Sequence, residues 1–189
     1  MSQSHPLLSE LPVFDEETGA LHVVVETPKG GSNKFDYEPD WNCFKLAKSL
    51  PEGMSFPFDF GFIPSTLGED GDPLDILVLM DFPTIAGCLV TTRLIGAICA
   101  EQGKKDKQGK KHDWVRNDRL IAVAASARTH SGVHRLEDLR PHLLDEITEF
   151  FVAYNKEEGR EFRPIGNCDA ADAMKLVEDG AKTFKKKNK

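Results

Sequence analysis

Residues 136–154 read LEDLRPHLLDEITEFFVAY, and Leu136, Leu139, Leu143, Leu144, Ile147, Phe150, Phe151 and Tyr154 recur in them at three- and four-residue steps. That spacing lines one side of an α-helix with apolar groups and predicts a long amphipathic helix. Downstream, Ala173, Met174, Val177 and Ala181 repeat the pattern, predicting a second helix over 169–184 with Asp169 as its cap. Upstream the pattern changes. Residues 21–27 (LHVVVET) are rich in β-branched side chains and run into Pro28 and the turn residues Gly30-Gly31-Ser32-Asn33. Further strand-like runs cover 75–80, 87–99 and 119–126, with an exposed hairpin loop expected over the lysine-rich 102–117. Strands first and two helices last predict an α+β chain whose strands close into a small β-barrel.

At 189 residues the chain has the length of one domain, with 103–116 as an insertion loop, 1–20 as an N-terminal extension and 185–189 as a basic tail. It is long enough to bury a core without a structural metal or disulfide. The longest apolar runs, 94–100 and 120–127, fall far short of the ~18 residues a spanning helix needs, and residues 1–11 lack the basic and apolar regions of a secretory signal. No membrane partner and a cytoplasmic location are therefore expected. Cys43, Cys88, Cys99 and Cys168 are widely spaced and form no CxxC pair, which points to reduced core thiols. The formal net charge is −7, yet 104–111 holds five lysines and one aspartate, and Lys185, Lys186, Lys187 and Lys189 make the tail basic. The remaining chain is thus strongly acidic, which argues against nucleic acid as the main partner.

The chemistry concentrates in Gly68-Glu69-Asp70-Gly71-Asp72-Pro73-Leu74-Asp75, where three aspartates fall on a tight turn leading into a strand. Carboxylates this close raise one another's pKa and favour a hard cation among them. The competing reading is a solvated acidic turn, and an EF-hand loop is disfavoured because a strand follows it. Phe56-Pro57-Phe58-Asp59-Phe60-Gly61-Phe62-Ile63-Pro64 reads mainly as core filling, with Gly61 permitting a bend. Residues 26–36 alternate carboxylates and lysines around a glycine-rich loop. With Lys48, Arg119 and Tyr154 they supply cations and a hydroxyl for a polyanion opposite the carboxylates. His112, His130, His134 and His142 have no metal-ligand spacing, and Ser131 has no identifiable triad partner.

On these residues the chain resembles the soluble family I inorganic pyrophosphatases. The resemblance rests on Asp70-Gly71-Asp72-Pro73-Leu74-Asp75, on Glu26-Thr27-Pro28-Lys29-Gly30, on the aromatic run before Pro64, on the strand at 118–123 and on Phe150-Phe151 with Tyr154, and it spans about residues 21–154. It implies an OB-like five-stranded β-barrel with two packed C-terminal helices, a homo-oligomer, and hydrolysis of pyrophosphate to two phosphates with Mg²⁺. By position it makes Asp70 and Asp75 metal ligands, Asp72 the general base and Glu26 an outer metal ligand. Lys34, Lys48, Arg119 and Tyr154 fall where phosphate oxygens are held, with Asp36 and Phe60 beside them. The alternatives are a hydrolase of another phosphoanhydride, or an inactive OB-type module binding single-stranded nucleic acid through 104–111.

The departures from the family pattern are several. Phe60 stands in place of Tyr, Phe56 lacks another hydroxyl, Lys48 replaces Arg, Asp36 replaces Glu, Arg119 replaces Lys and Asn155 replaces Lys. Two metal-binding aspartates expected between Gly96 and Arg119 are missing from their usual spacing, and Glu101 with either Asn117 or Asp118 stands in for them. Strand alternation puts Asn117 on the face of Arg119, whereas Asp118 carries the charge that suits Mg²⁺.

Overall fold

The computed structural model describes residues 6–105 and 112–188. Among these the strands are β1 (Leu21–Thr27), β2 (Asn33–Glu38), β3 (Cys43–Ser49), β4 (Asp59–Phe62), β5 (Asp75–Leu79), β6 (Leu89–Lys105), β7 (His112–Arg116), β8 (Arg119–Ala124) and β9 (Glu161–Asp169), with helices α1 (Leu143–Glu157) and α2 (Ala170–Lys187). β1 pairs antiparallel with β4 through its second half and with β6 through its first. β4 pairs with β5, β5 runs parallel to β8, and β8 pairs with β6. The path β1-β4-β5-β8-β6 returns to β1, an OB-like five-stranded barrel with the two helices packed on it. β9 and β7 extend the sheet from β6, while β2 and β3 form a separate hairpin.

Ring closure depends on backbone approaches that admit no side chain. A Cβ on Gly61 would lie 2.0 Å from the Val24 carbonyl oxygen, so glycine lets β4 lie against β1. On β6, Gly96 (φ +150) stands at a register shift, where a Cβ would meet both the Cys168 carbonyl and Leu136. That irregularity bends a 17-residue strand enough to serve β1, β8, β7 and β9 in turn. All seven residues of β1 are buried, because residues before it cover its outer side, with the His22 N–H donating to the Val13 carbonyl at 2.9 Å.

Four sequence readings change. The apolar period from Leu136 is not one helix: Leu136–Asp138 is a single 3-10 turn, and α1 starts at Leu143. Pro141 disfavours helical backbone at Arg140, yet Leu136 still packs into the core. The strand expected over 87–99 begins at Leu89 and continues to Lys105. The hairpin arms of β6 and β7 take in both ends of the lysine-rich stretch; its residues 106–111 lie outside the described ones. The thiols are not all reduced core residues either. β6 and β9 bring Cys99 and Cys168 into a disulfide with a Cα–Cα distance of 6.2 Å, while Cys43 is exposed and Cys88 half-buried. Their separation of 69 residues hid that proximity. The second helix follows the reading closely, the Asp169 side chain accepting from the Asp172 N–H.

Gly61→Ala is expected to lower stability by about 3 kcal/mol, through the enforced separation of β1 and β4. Gly132→Ala, with open space around its Cβ, serves as the neutral control. Urea unfolding midpoints of both variants test this, and equal midpoints would contradict it.

Candidate active site

A cavity of about 600 Å³ opens at one end of the barrel. Glu26 at the end of β1 forms its base. The β2–β3 hairpin brings Lys34, Asp36 and Lys48, the turn before β5 and its first residue bring Asp70, Asp72 and Asp75, the link from β7 to β8 and the start of β8 bring Asn117 and Arg119, and α1 brings Tyr154. Phe60 joins them from β4.

The turn is set by its own backbone. Gly68 donates its N–H to the Asp72 carbonyl at 2.7 Å, the Asp72 N–H donates to Asp70 Oδ1 at 3.2 Å, and Gly71 takes φ +92, which favours glycine. Thr66, fully buried, accepts the Leu74 N–H and fixes the exit into β5.

In the cavity Glu26 and Lys34, and Asp75 and Arg119, lie as oppositely charged pairs. Lys34 Nζ lies 3.4 Å from Glu26 Oε2 and contacts Asp36, and its ammonium stands 5.3 Å from the centre of the Phe60 ring. Burial alone lowers the Lys34 pKa, but Glu26, Asp36 and Asp75 outweigh it and hold it above the usual lysine value. Glu26 also accepts the Tyr37 N–H at 2.8 Å, yet burial pushes its carboxyl up to about 7. Desolvation in the cavity raises Asp70 to about 6, with Asp75 and Asp72 adding repulsion. Asp75, raised chiefly by burial and held down in part by Arg119, lies 2.6 Å from the Arg119 guanidinium. Desolvation lifts Tyr154 to about 12, so it remains a phenol donor, and Lys48 Nζ sits 3.9 Å from its ring centre while pairing with Glu158.

Two expected stand-ins lie elsewhere. Glu101 faces away from the cavity and binds Arg163 of β9, with Nε at 3.1 Å. Asp118 Oδ1 accepts the Ala100 N–H at 2.8 Å and Arg116 Nε at 2.6 Å, so this carboxylate ties β8 to β6. Asp118 borders a smaller cavity of about 260 Å³ between the turn and α2. Of the two alternatives, Asn117 is the one that lines the large cavity, and beside it stands Gln102, which the sequence reading missed. Gln102 is neutral and carries no charge signal in the sequence, although strand alternation from Glu101 places it on the opposite face. Arg160 and Asn155 also line the cavity. Asn155 is fully buried and its amide donates to the Phe151 carbonyl at 2.9 Å. Phe60 is 4% exposed and belongs as much to the aromatic core of Phe56 and Phe151 as to the cavity.

As a donor set, Glu26, Asp70, Asp72 and Asp75 offer only anionic oxygens, which suit a hard cation; burial is the main cause of the raised Glu26, Asp70 and Asp75, and a bound cation would favour their charged forms. Among the described residues no three acidic or histidine side chains already form a ligand cluster, so binding would draw in the exposed Asp72. The arrangement therefore fits a divalent ion.

The mouth of the OB-like barrel thus sets Asp70, Asp72 and Asp75 against Lys34, Lys48 and Arg119. Residues 23–185 match the family model described as inorganic pyrophosphatase, and the chain belongs to that family. It is 36% identical over 178 residues to an inorganic pyrophosphatase of Synechocystis sp., covering 94% of this chain and 99% of that one. The crystal structure of inorganic pyrophosphatase from Thermus thermophilus matches with a TM-score of 0.82 at 32% identity, covering 95% of this chain and 99% of that one. An inorganic pyrophosphatase from Helicobacter pylori matches with a TM-score of 0.80 at 30% identity, over 93% and 98% of the two chains.

The raised carboxyls set a pH dependence. A folded pKa above the unfolded one gives stability that is full below the ordinary carboxylate range and lost as pH rises through about 6 for Asp70 and about 7 for Glu26. A divalent cation offsets that loss, so the rise in Tm on replacing chelator with Mg²⁺ is expected to be larger at about pH 8 than at about pH 5. Glu26→Gln should shrink the difference. Thermal unfolding at the two pH values checks this, and a gain of equal size at both would contradict it.

Proposed function

We propose that this protein is an inorganic diphosphatase that hydrolyses pyrophosphate to two phosphates, with Mg²⁺ as its metal. The observation that carries the reading is the opposition, within one cavity, of the Asp70–Asp72–Asp75 turn and the cations Lys34, Lys48 and Arg119. Pyrophosphate is a dense polyanion that repels an attacking water until its charge is compensated. In this reading Asp70 and Asp75, with Glu26 farther out, hold Mg²⁺, which when bound neutralises substrate charge and acidifies water. Asp72 takes the proton from the attacking water. Lys34, Lys48 and Arg119 hold phosphate oxygens and stabilise the charge that develops on the leaving phosphate, and the Tyr154 phenol donates to the same oxygens. Asp36 positions Lys34 through their ion pair, and Phe60 presents an apolar face beneath that ammonium.

Family membership favours this reading over a nucleic-acid-binding module, whose lysines lie largely in 106–111, outside the described residues. No helix among the described residues is long and apolar enough to cross a membrane. A cytoplasmic homo-oligomer is the proposed form; the exposed apolar side chains Trp41, Phe82 and Ile85 support self-association.

Asp72→Asn is expected to lower kcat by about 100-fold or more at saturating Mg²⁺ while leaving the Mg²⁺ requirement nearly unchanged. Asp75→Asn should weaken both. Rates of phosphate release across an Mg²⁺ titration separate the two roles, and equal losses of metal affinity in both variants would refute the division.

A further inference from the structure

The wall opposite the acidic turn ends in a chain of hydrogen bonds with a fixed direction. Arg119, its side chain 5% exposed, lies 2.6 Å from Asp75 and donates through Nη1 to Asn117 Oδ1. A guanidinium carries donors only, so it fixes which end of the Asn117 amide faces it: the oxygen. The Asn117 Nδ2 group then points away and donates to Gln102 Oε1 at 2.8 Å. Gln102 lines the cavity, and with its oxygen accepting from Asn117 its Nε2 is the donor end of the amide pair. Each group donates to the next, so the chain runs in one direction from Arg119 through Asn117 to Gln102.

Such a wall suits anions and not cations. A hard metal ion favours anionic oxygens, but both amide oxygens here are neutral and each already gives one of its two lone pairs to a hydrogen bond, that of Asn117 to a cation. The two carboxylates nearest in sequence, Glu101 and Asp118, are turned out of the cavity and bound to Arg163 and Arg116. A cation brought to Asn117 would stand beside the Arg119 guanidinium and be repelled by it.

We propose that the Gln102–Asn117–Arg119 wall binds a phosphate oxygen by donated hydrogen bonds, with Gln102 Nε2 as a direct contact and Asn117 as the residue that positions it, and that this wall holds no metal ion. Metal binding is then confined to the side of the cavity formed by Asp70, Asp72, Asp75 and Glu26. The inference rests on the phosphate-hydrolase reading of the same cavity.

The test is isothermal titration of the full-length wild-type protein and of Gln102→Leu and Gln102→Glu, first with MgCl₂ alone and then with inorganic phosphate at saturating Mg²⁺; circular dichroism establishes folding. Gln102→Leu should keep the wild-type number of Mg²⁺ ions and their affinity while binding phosphate about tenfold more weakly, the loss of one charge-assisted hydrogen bond. Gln102→Glu keeps the size and shape of the side chain and puts an anion where the donor was. It should weaken phosphate more than Gln102→Leu does, and it decides the matter if Gln102→Leu does not fold. Loss of a Mg²⁺ ion in Gln102→Leu, or phosphate affinity unchanged in the folded variants, overturns the proposal while the hydrolase reading stands. A wild-type protein that binds neither Mg²⁺ nor phosphate overturns both.

Discussion

β1 is shared between two partners, and the site follows from that sharing. Its first half pairs with β6 and its second half with β4, so the strand that closes the ring also carries Glu26 to the mouth. Closure forces the exit of β1, the entry to β5 and the ends of β6 and β8 to one rim, where Asp75, Gln102 and Arg119 meet. No loop-by-loop arrangement is needed to gather these groups. The backbone contact of Gly61 on Val24 is what holds the geometry, since any side chain there would separate β4 from β1.

The buried charges at the rim lie against partners of opposite sign, and burial together with those partners shifts their pKa values. Lys34 lies between Glu26 and Asp36, and Arg119 lies between Asp75 and Asn117. Glu26, Asp70 and Asp75 are raised chiefly because burial strips water from them, even where Lys34 or Arg119 stands beside them. Removing a partner from such a set leaves an uncompensated charge in a low-dielectric place. Adding a cation does the reverse and favours the charged forms of these carboxyls.

The strands and helices that alternate or repeat strongly were legible in the sequence, as were the residues whose chemistry is charge. β1, with Val23, Val24 and Val25, and α2, with its Asp169 cap, needed no tertiary information. The β2–β3 hairpin and β9 were not legible. β3 is largely exposed and β9 carries Pro164 and Gly166, so pairing with neighbours, and not propensity, makes them strands. The acidic turn was visible because three aspartates in six residues conflict unless something binds them. Gln102 was invisible for the opposite reason: a neutral side chain after Glu101 draws no attention until the register of β6 shows which of the two faces the cavity. The Cys99–Cys168 pair likewise exists only through the β6–β9 pairing.

The central claim is that clustered carboxylates and opposed cations make this cavity a metal-dependent pyrophosphate hydrolase. Phosphate release by the purified protein, measured with pyrophosphate and with a panel of nucleotides and sugar nucleotides, in Mg²⁺ and again in excess chelator, tests it most directly. The account predicts release from pyrophosphate above all others, abolished by chelator and restored by added Mg²⁺. Hydrolysis of pyrophosphate that persists in chelator, or release from a nucleotide with none from pyrophosphate, would contradict it.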